Sequence, residues 1–291
     1  MHDRRYIESV LIPANPALYG TRADRLTLCV SSQVGCAYGC KFCASGLAGF
    51  ARNLDSGEIT AQVLQSEILA QKRIDNLVFM GMGEPLANLK NLLPAIDILT
   101  APWGLNLGAR HLTVSTSGLA PQIKELASLP RQIRLAISLH GASDEVRNRI
   151  MPVNQRYPLA QLFEALDHWN ENKKQHLTLE YILIADVNDA PAQARLLAEH
   201  ATRLRAKVNL IPYNTVQGLD WQRPAISHCQ AFQRILTQAG VTATLRLEKG
   251  HDIEAACGQL RLIQETADGE LSAVPALSLI HISEPTRPRL I

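Results

Sequence analysis

The sequence predicts an α/β protein built as a partial, open (β/α)6 barrel. Short apolar segments of strand length alternate with longer segments whose apolar residues recur at helical spacing. About six such strand–helix units fit into the chain, which is fewer than the eight of a closed barrel. Strands separated by single helices pair in parallel through right-handed crossovers, so the units should build one sheet.

The strands are predicted from short runs of apolar and β-branched residues. The first, around Ile7–Ile12, is an edge strand in a short lead-in. The remaining predicted strands are Leu26–Ser31, Leu77–Met80, His111–Ser115, Ile133–Ser138, Leu177–Ile184, Lys207–Pro212 and Val241–Leu245.

Helical patterns lie between these strands. Asp55, followed three residues later by Glu58, has the pattern of a capping box. The helix that it begins carries apolar Ile59, Val63 and Ile68 at roughly helical spacing. Further helices are predicted near Leu89–Leu99, Pro121–Ser128, Ser143–Ile150, Leu159–Asn170, Pro191–Arg205 and Ser227–Ala239.

The chain divides into a lead-in over residues 1–25, the barrel over 26–265 and a C-terminal tail over 266–291. From about residue 278 the tail continues no periodicity of the barrel and resembles a translated sequencing-library adapter. This segment is therefore not expected to form part of the barrel. The alternative interpretation is an ordinary disordered tail.

Composition excludes several classes of protein. At 291 residues, 46% hydrophobic and 19% charged, the chain is an ordinary globular sequence of the size of one large α/β domain. No window approaches eighteen consecutive apolar residues, and the N-terminus has no apolar signal core. We expect a cytoplasmic protein without a membrane span. A net charge of +2 with scattered arginines allows a nucleic-acid partner but does not indicate one.

Three cysteines follow the Leu26–Ser31 strand directly: Cys36, Cys40 and Cys43, in a C-x3-C-x2-C run. Their number is one short of the four ligands of a closed zinc site or a fully ligated cluster. A cubane cluster on three cysteines leaves one iron open for a substrate. Two alternatives remain: a structural zinc site that takes Cys29 as its fourth ligand, or a disulfide with a spare thiol.

Polar residues follow several predicted strands, at the end of the sheet where such barrels gather their catalytic groups. The glycines around Glu84 allow a ligand close to the backbone, and its carboxylate suits an ammonium group. Hydroxyls suit a carboxylate or a ribose. Taken singly, each signal is explained equally well by a turn or by a structural side chain. The candidates are Gly83, Glu84, Ser115, Ser138, His140 and Asn214.

Several motifs together resemble one family, the radical S-adenosylmethionine (SAM) RNA adenine methyltransferases of the RlmN/Cfr type. The resemblance runs in order from about residue 6 to residue 262. Val34 and Pro85 favour the RlmN type, which methylates carbon-2 of an adenosine in 23S rRNA and, in some members, in tRNA. The carbon-8 type, which confers antibiotic resistance, shares nearly every motif. The motifs are Leu28–Cys36, Cys36–Cys43, Gly83–Pro85, Ser115–Gly118, Ser138–His140 and Asp252–Leu260.

This resemblance implies a [4Fe-4S] cluster on the three cysteines and two molecules of SAM per turnover, held by the strand-end candidates. One SAM methylates Cys257. A radical from the second takes a hydrogen atom from that methyl group, which then adds to the adenine. Cys29 attacks Cys257 to form a disulfide and release the methylated RNA, and Glu8 matches a proposed proton acceptor.

The resemblance also implies partners. They are 23S rRNA, possible tRNA substrates and an electron donor such as a flavodoxin or ferredoxin system, acting with a monomeric enzyme. The family usually carries an N-terminal accessory domain of roughly a hundred residues, a normal size for a small domain. The chain is expected to start just after that domain, which helps to engage RNA. A non-catalytic zinc-binding module is the alternative from a different functional class.

Overall fold

A computed structural model describes residue 3, residues 5–14, 25–47, 49–175, 177–216 and 218–246, and the backbone of a strand at 278–281. The predicted alternation of strands and helices is confirmed. The strands are β1 Glu8–Pro13, β2 Leu26–Cys29, β3 Gln33–Gly35, β4 Phe50–Asn53, β5 Asn76–Phe79, β6 Leu112–Thr116, β7 Arg134–Ser138, β8 Thr178–Leu183, β9 Lys207–Pro212, β10 Ala243–Leu245 and β11 Ser278–His281.

The helices lie between these strands as the sequence predicts, with small differences at their ends. Two single turns of 3-10 helix, Pro85–Asn88 and Ala109–His111, flank one of them. The α-helices are α1 Ala44–Leu47, α2 Ser56–Ala70, α3 Leu89–Thr100, α4 Ala120–Ser128, α5 Asp144–Ile150, α6 Val153–Arg156, α7 Leu159–Asn172, α8 Pro191–Arg203 and α9 Ile226–Gln238.

Nine strands form one sheet in the order β10-β9-β8-β7-β6-β5-β2-β1-β11. The strands from β2 to β10 in this sheet pair in parallel with their neighbours, each pair connected through helices. β1 runs antiparallel to β2. Parallel pairing brings the carboxyl ends of β2 and β5–β9 to the same edge of the sheet, where the predicted site residues lie.

The core lies between the sheet and the helices packed on it. Tyr181 and Leu183 on β8 are fully buried, as are Leu162, Leu166 and Trp169 on α7. Strands of a parallel sheet that are covered by helices read as nearly continuous apolar runs, and this is why they were recognisable in the sequence. Charged residues inside such strands are therefore unusual, and one of them, Glu180 on β8, matters below.

The cysteine run lies inside a hairpin that the sequence did not predict. β3 and β4 pair antiparallel on either side of it, and the Cys36 N–H donates to the Gly49 carbonyl at 2.8 Å. Gly35 has φ +72°, and a Cβ atom there would lie 1.9 Å from the Gly49 oxygen, so only glycine fits. The hairpin holds both ends of the cysteine loop against the sheet.

The predicted capping box at the start of α2 is confirmed. The Asp55 side chain accepts the Glu58 N–H at 2.7 Å, and the Glu58 side chain accepts the Asp55 N–H at 3.1 Å. Arg52 on β4 adds two contacts of 2.7 Å to the Glu58 carboxylate. The cap therefore also joins α2 to the hairpin around the cysteine loop.

The C-terminal tail contributes one strand, β11, to the nine-stranded sheet. β11 pairs in parallel with β1, from Glu8 opposite Ser278 to Leu11 opposite His281. β1 offers a row of backbone donors and acceptors on the side away from β2, and such an edge accepts an added strand regardless of its side chains. The division of the chain at residues 25 and 265 stays a prediction, because residues 247–277 lie outside the described part.

Buried Gln62 on α2 fixes the end of β2. Its side-chain oxygen accepts the Ser31 N–H and the Ser9 hydroxyl, both at 2.8 Å, and its amide donates to the Ser31 carbonyl at 2.9 Å. The Ser31 hydroxyl in turn donates to the Glu8 carbonyl at 2.7 Å and accepts the Met82 N–H at 2.9 Å. Gln62 thus ties α2 to β1 and to the end of β2, and the Ser31 hydroxyl extends this network to the loop that follows β5.

We predict that Gln62→Leu destabilises the protein by roughly 2 to 4 kcal/mol, because it leaves the buried N–H and carbonyl of Ser31 without partners. Urea denaturation measures the change in the free energy of unfolding. Gln65→Leu, at an exposed position of the same helix, is the matched control and should stay within about 0.5 kcal/mol of the starting protein. Equal effects of the two substitutions would contradict the proposed anchoring.

Candidate active site

A cavity opens at the carboxyl ends of β5–β8, beneath the cysteine loop. Most of the predicted site residues meet there, although they come from four separate segments of the chain. The predicted residues that line it are Cys36, Cys40, Cys43, Gly83, Glu84, Ser115, Ser138 and His140. The fold therefore brings together the signals that were weak when taken singly.

The three cysteines of the loop are half-buried free thiols. Burial raises the pKa of Cys36 to about 12, and burial together with the charges of the neighbouring cysteines raises the pKa of Cys40. Burial also raises the pKa of Cys43. Without a metal the thiols are therefore protonated at neutral pH, and a metal group that binds them must displace their protons.

A single zinc ion and a metal cluster require different arrangements of the thiols. In the described part of the chain, no three His, Cys, Asp or Glu side chains converge on one metal ion. Zinc requires its sulfur ligands at about 2.3 Å around one centre, whereas a cluster binds each thiolate at a separate iron. Cys29, the fourth ligand in the zinc alternative, is buried on β2 and is not among the residues that line the cavity.

Glu84 joins the loop after β5 to the loop after β6. One carboxylate oxygen accepts the Leu86 N–H at 3.0 Å, and the other accepts the Ser117 N–H at 2.7 Å. Burial raises the pKa of this carboxyl group, and these donors oppose the increase. The sequence suggested only an ammonium ligand for Glu84, and the structure adds its role as the N-cap of the turn Pro85–Asn88. The remaining lone pairs of the carboxylate still suit an ammonium group.

Gly83 allows a close approach between the loop after β5 and the cysteine hairpin. Its φ is +96°, and a Cβ atom there would lie 2.5 Å from the Cβ of Gln33. The Gln33 side-chain oxygen accepts the Glu84 N–H at 2.9 Å, which holds the two loops together. A larger residue at position 83 would therefore separate the cysteine loop from Glu84.

His140 is fixed by the backbone of the neighbouring strand. Its Nδ1 accepts the Ile182 N–H at 3.1 Å, which places the proton of the neutral ring on Nε2. Its carbonyl accepts the side-chain amide of Asn188 at 2.7 Å, and its ring meets that of Phe42 edge-on at 4.8 Å. Burial and the nearby charge of Arg147 lower the pKa of His140 to about 3. The cavity therefore contains a neutral imidazole.

Sequence reasoning missed Glu180, a buried carboxylate of β8 that lines the same cavity. It accepts the Asn209 side-chain amide at 2.8 Å. Burial raises its pKa, and the charge of Arg246 opposes the increase. The signal was available, since Glu180 is an acid within an otherwise apolar strand. An acid buried in a strand of this kind faces a cavity or a partner.

Three predicted residues that the structure describes, Glu8, Cys29 and Asn214, are not among those that line the cavity. Asn214 is buried after β9. Cys29 pairs with Val10 across β1 and β2, so it lies on the strand next to the one that carries Glu8. Cys257 lies outside the described residues. No disulfide joins the cysteines of the described part to one another, so the structure gives no support to the predicted disulfide.

Comparisons with known proteins agree with this geometry. Residues 30–196 match the model of the radical SAM superfamily. The chain is 59% identical over 265 residues to a probable dual-specificity RNA methyltransferase RlmN of Akkermansia muciniphila, covering 91% of this chain and 74% of that protein. It is 47% identical to the dual-specificity RNA methyltransferase RlmN of Syntrophotalea carbinolica, covering 90% and 68%. The chain belongs to the RlmN family.

A solved structure confirms the predicted fold class. The crystal structure of a radical SAM methyltransferase from Sphaerobacter thermophilus is 45% identical, with a TM-score of 0.79 over 82% of this chain and 71% of that one. The RlmN-family chain is therefore an α/β protein with the open, strongly curled half-barrel of radical SAM enzymes. Membership in this superfamily implies a [4Fe-4S] cluster and SAM. No helix of the described part is long and apolar enough to cross a membrane.

We predict that His140 makes stability depend on pH. Its pKa is lowered on folding, so its contribution is complete above the unfolded value of about 6.5 and is lost as the pH falls towards 3. Relative to His140→Gln, the protein should lose about 1.4 kcal/mol of unfolding free energy between pH 7.5 and pH 5.5. Urea denaturation of both proteins at the two pH values measures this. A difference that is constant with pH would contradict the buried neutral ring.

Proposed function

We propose that this chain methylates carbon-2 of adenosine in 23S rRNA and in tRNA. The 59% identity to a probable dual-specificity RNA methyltransferase RlmN carries the proposal. The cavity supports it chemically, because three free thiols, a carboxylate and a neutral imidazole converge at one end of the sheet. These groups suit a metal cluster together with a charged amino-acid cosubstrate.

In this proposal Cys36, Cys40 and Cys43 hold the cluster, and an iron without a protein ligand is left for SAM. When bound, such a cluster supplies the electron that cleaves SAM to a 5′-deoxyadenosyl radical. The hairpin β3–β4 and the contact between Gln33 and Glu84 hold the loop over the cavity. Because burial raises the pKa of each thiol, binding of the cluster releases protons and should weaken at low pH.

We propose that the strand ends bind SAM. The Glu84 carboxylate accepts hydrogen bonds from the ammonium group of SAM. The Ser115 and Ser138 hydroxyls contact the carboxylate or the ribose of SAM. Gly83 admits the ligand close to the backbone. The Nε2–H of His140 is a fixed donor, since Nδ1 is occupied by the backbone of β8. We place Asn214 at the adenine or ribose.

The methyl transfer itself requires cysteines outside the cluster. We propose that Cys257 carries the methyl group that joins carbon-2, because a thiolate is a competent nucleophile towards a sulfonium methyl group. Cys29 then attacks Cys257 and releases the RNA. Glu8, on the strand beside Cys29, accepts a proton. Two molecules of SAM are used per turnover, one for each half of the reaction.

We also propose the setting of the reaction. The electron comes from a flavodoxin or ferredoxin system, since plant-type ferredoxins have potentials of about −400 mV, low enough to reduce such clusters. The enzyme acts as a monomer in the cytoplasm, where reduced thiols persist.

The cluster assignment predicts that Cys36→Ala loses most of its bound iron and sulfide after anaerobic reconstitution. Chemical iron and sulfide assays and the visible absorption of the cluster measure the loss. Cys229→Ala is the matched control, because Cys229 is buried in α9, away from the cavity. A colourless wild-type protein that holds stoichiometric zinc would instead favour the zinc-binding module.

The methylation scheme predicts a different outcome for the starting protein and for each of two cysteine variants. Reconstituted protein with SAM, reductant and a 23S rRNA fragment should yield 2-methyladenosine, detected by mass spectrometry of the nucleosides. Cys29→Ala should accumulate a covalent protein–RNA adduct, because nothing resolves it. Cys257→Ala should give neither adduct nor product. Formation of 8-methyladenosine would assign the chain to the carbon-8 activity, and methylation by Cys257→Ala would overturn the two-cysteine scheme.

A further inference from the structure

Arg147 on α5 is a fully buried cation whose hydrogen-bond partners are all neutral. Nε donates to the Leu139 carbonyl at 3.1 Å, and one terminal nitrogen donates to the Asn154 side-chain oxygen at 2.6 Å. The other terminal nitrogen donates to the Ser117 carbonyl. The salt bridges found between described residues do not involve Arg147.

A buried charge without a partner ion is strongly unfavourable, so its presence requires an explanation. Burial lowers the pKa of Arg147 to about 10, which still leaves the guanidinium ionised at neutral pH. Asp144 is joined to it by hydrogen bonds only through Asn154, whose amide donates to the Asp144 carboxylate at 2.8 Å, and its negative charge opposes the lowering of the Arg147 pKa only in part. A larger negative charge is therefore expected on another side of Arg147.

The cysteine loop lies on that side. The carbonyl of Ile150, at the end of α5, accepts the N–H of Lys41 at 2.9 Å, and Lys41 directly follows Cys40. The Ser117 carbonyl, which accepts a hydrogen bond from Arg147, belongs to a residue that lines the cavity together with Cys36, Cys40 and Cys43. Arg147 is thus within electrostatic reach of the cysteine loop.

Two glycines bring Arg147 close to the strand ends. A Cβ atom on Gly141 would lie 2.8 Å from the backbone nitrogen of Arg147. A Cβ atom on Gly118 would lie 3.0 Å from its terminal nitrogen, and Gly118 has φ +109°. The backbone is therefore shaped to admit the guanidinium beneath the cavity.

We infer that Arg147 is the buried countercharge of the iron–sulfur cluster and raises the reduction potential of that cluster. This inference rests on the proposed assignment of Cys36, Cys40 and Cys43 as cluster ligands. Reduction adds one electron from the donor and hence one negative charge to a group already made anionic by three thiolates. A fixed cation nearby stabilises the reduced state more than the oxidised state, and its effect is large where water is excluded. Arg147 influences the reaction only through its charge near the cluster, so it is a positioning residue and not a catalytic residue.

The test is a redox titration of the reconstituted protein without SAM, followed by electron paramagnetic resonance. Arg147→Gln should make the reduction equilibrium at least tenfold less favourable, a shift of 59 mV or more to lower potential for one electron. Arg147→Lys, which keeps the charge and loses the planar contacts, should shift the potential less. Arg203→Gln, an exposed arginine paired with Asp167, is the control and should leave it unchanged.

The order of the reduction potentials of the wild type, Arg147→Lys and Arg147→Gln distinguishes an effect of the charge from an effect on the structure. A purely structural role would shift Arg147→Lys as far as Arg147→Gln, and that result, or an unchanged potential in Arg147→Gln, would overturn the inference. If the wild-type protein takes up no iron and sulfide, the proposed function fails first and the inference with it. If the wild type holds a cluster and only the predicted shift is absent, the proposed function stands and the inference alone is wrong.

A second variant keeps Arg147 in place in case its replacement prevents folding or cluster uptake. The double variant Asn154→Asp with Asp144→Asn places a carboxylate at position 154, where the side-chain oxygen contacts Arg147 at 2.6 Å. It removes the carboxylate from position 144, so the net charge does not change. Pairing with this carboxylate reduces the field of Arg147 at the cluster, so the reduction potential should fall. A potential equal to that of the wild type would contradict the countercharge role.

Discussion

The buried contact between Ser31 and Gln62 is the interaction on which the rest of this site depends. Ser31 follows β2 on the way to the cysteine loop, and its backbone and hydroxyl bond to α2, β1 and the loop after β5. A parallel sheet brings strand ends to one edge, but it does not fix how their loops meet. Here neutral buried hydrogen bonds fix it.

The same principle holds across the cavity. Glu84, His140 and Arg147 each bond to the backbone of a neighbouring strand end or loop. Because these contacts use backbone groups, they orient charged and polar side chains without pairing them with one another. Burial then keeps the His140 ring neutral, together with the charge of Arg147, and it raises the pKa of Glu84. Arg147 itself is buried without a partner ion among the described residues, and these three groups set the electrostatic character of the site.

Much of the fold and part of the site could be predicted from sequence, and the reasons are physical. Apolar runs and the Asp55–Glu58 cap are local signals, and both were found. The hairpin was missed because β3 is very short, Gln33–Gly35. Its register also depends on the close approach of Gly35 to Gly49, which lies on the other side of the cysteine loop. Glu180 and Arg147 were missed because their meaning depends on distant partners. Asn209 is 29 residues from Glu180, and Ser117 is 30 residues from Arg147.

These two missed residues explain why a motif of three cysteines is incomplete as a description of the site. The spacing of Cys36, Cys40 and Cys43 identifies ligands but says nothing about the charge that surrounds them. Buried thiols with raised pKa values resist ionisation, and so oppose the thiolates that a cluster requires. In the inferred arrangement, Arg147 is held beneath the loop by neutral carbonyls and offsets this opposition when the cluster binds, with a larger effect when the cluster is reduced. The charge balance that the motif lacks would then come from α5, more than a hundred residues after the cysteines.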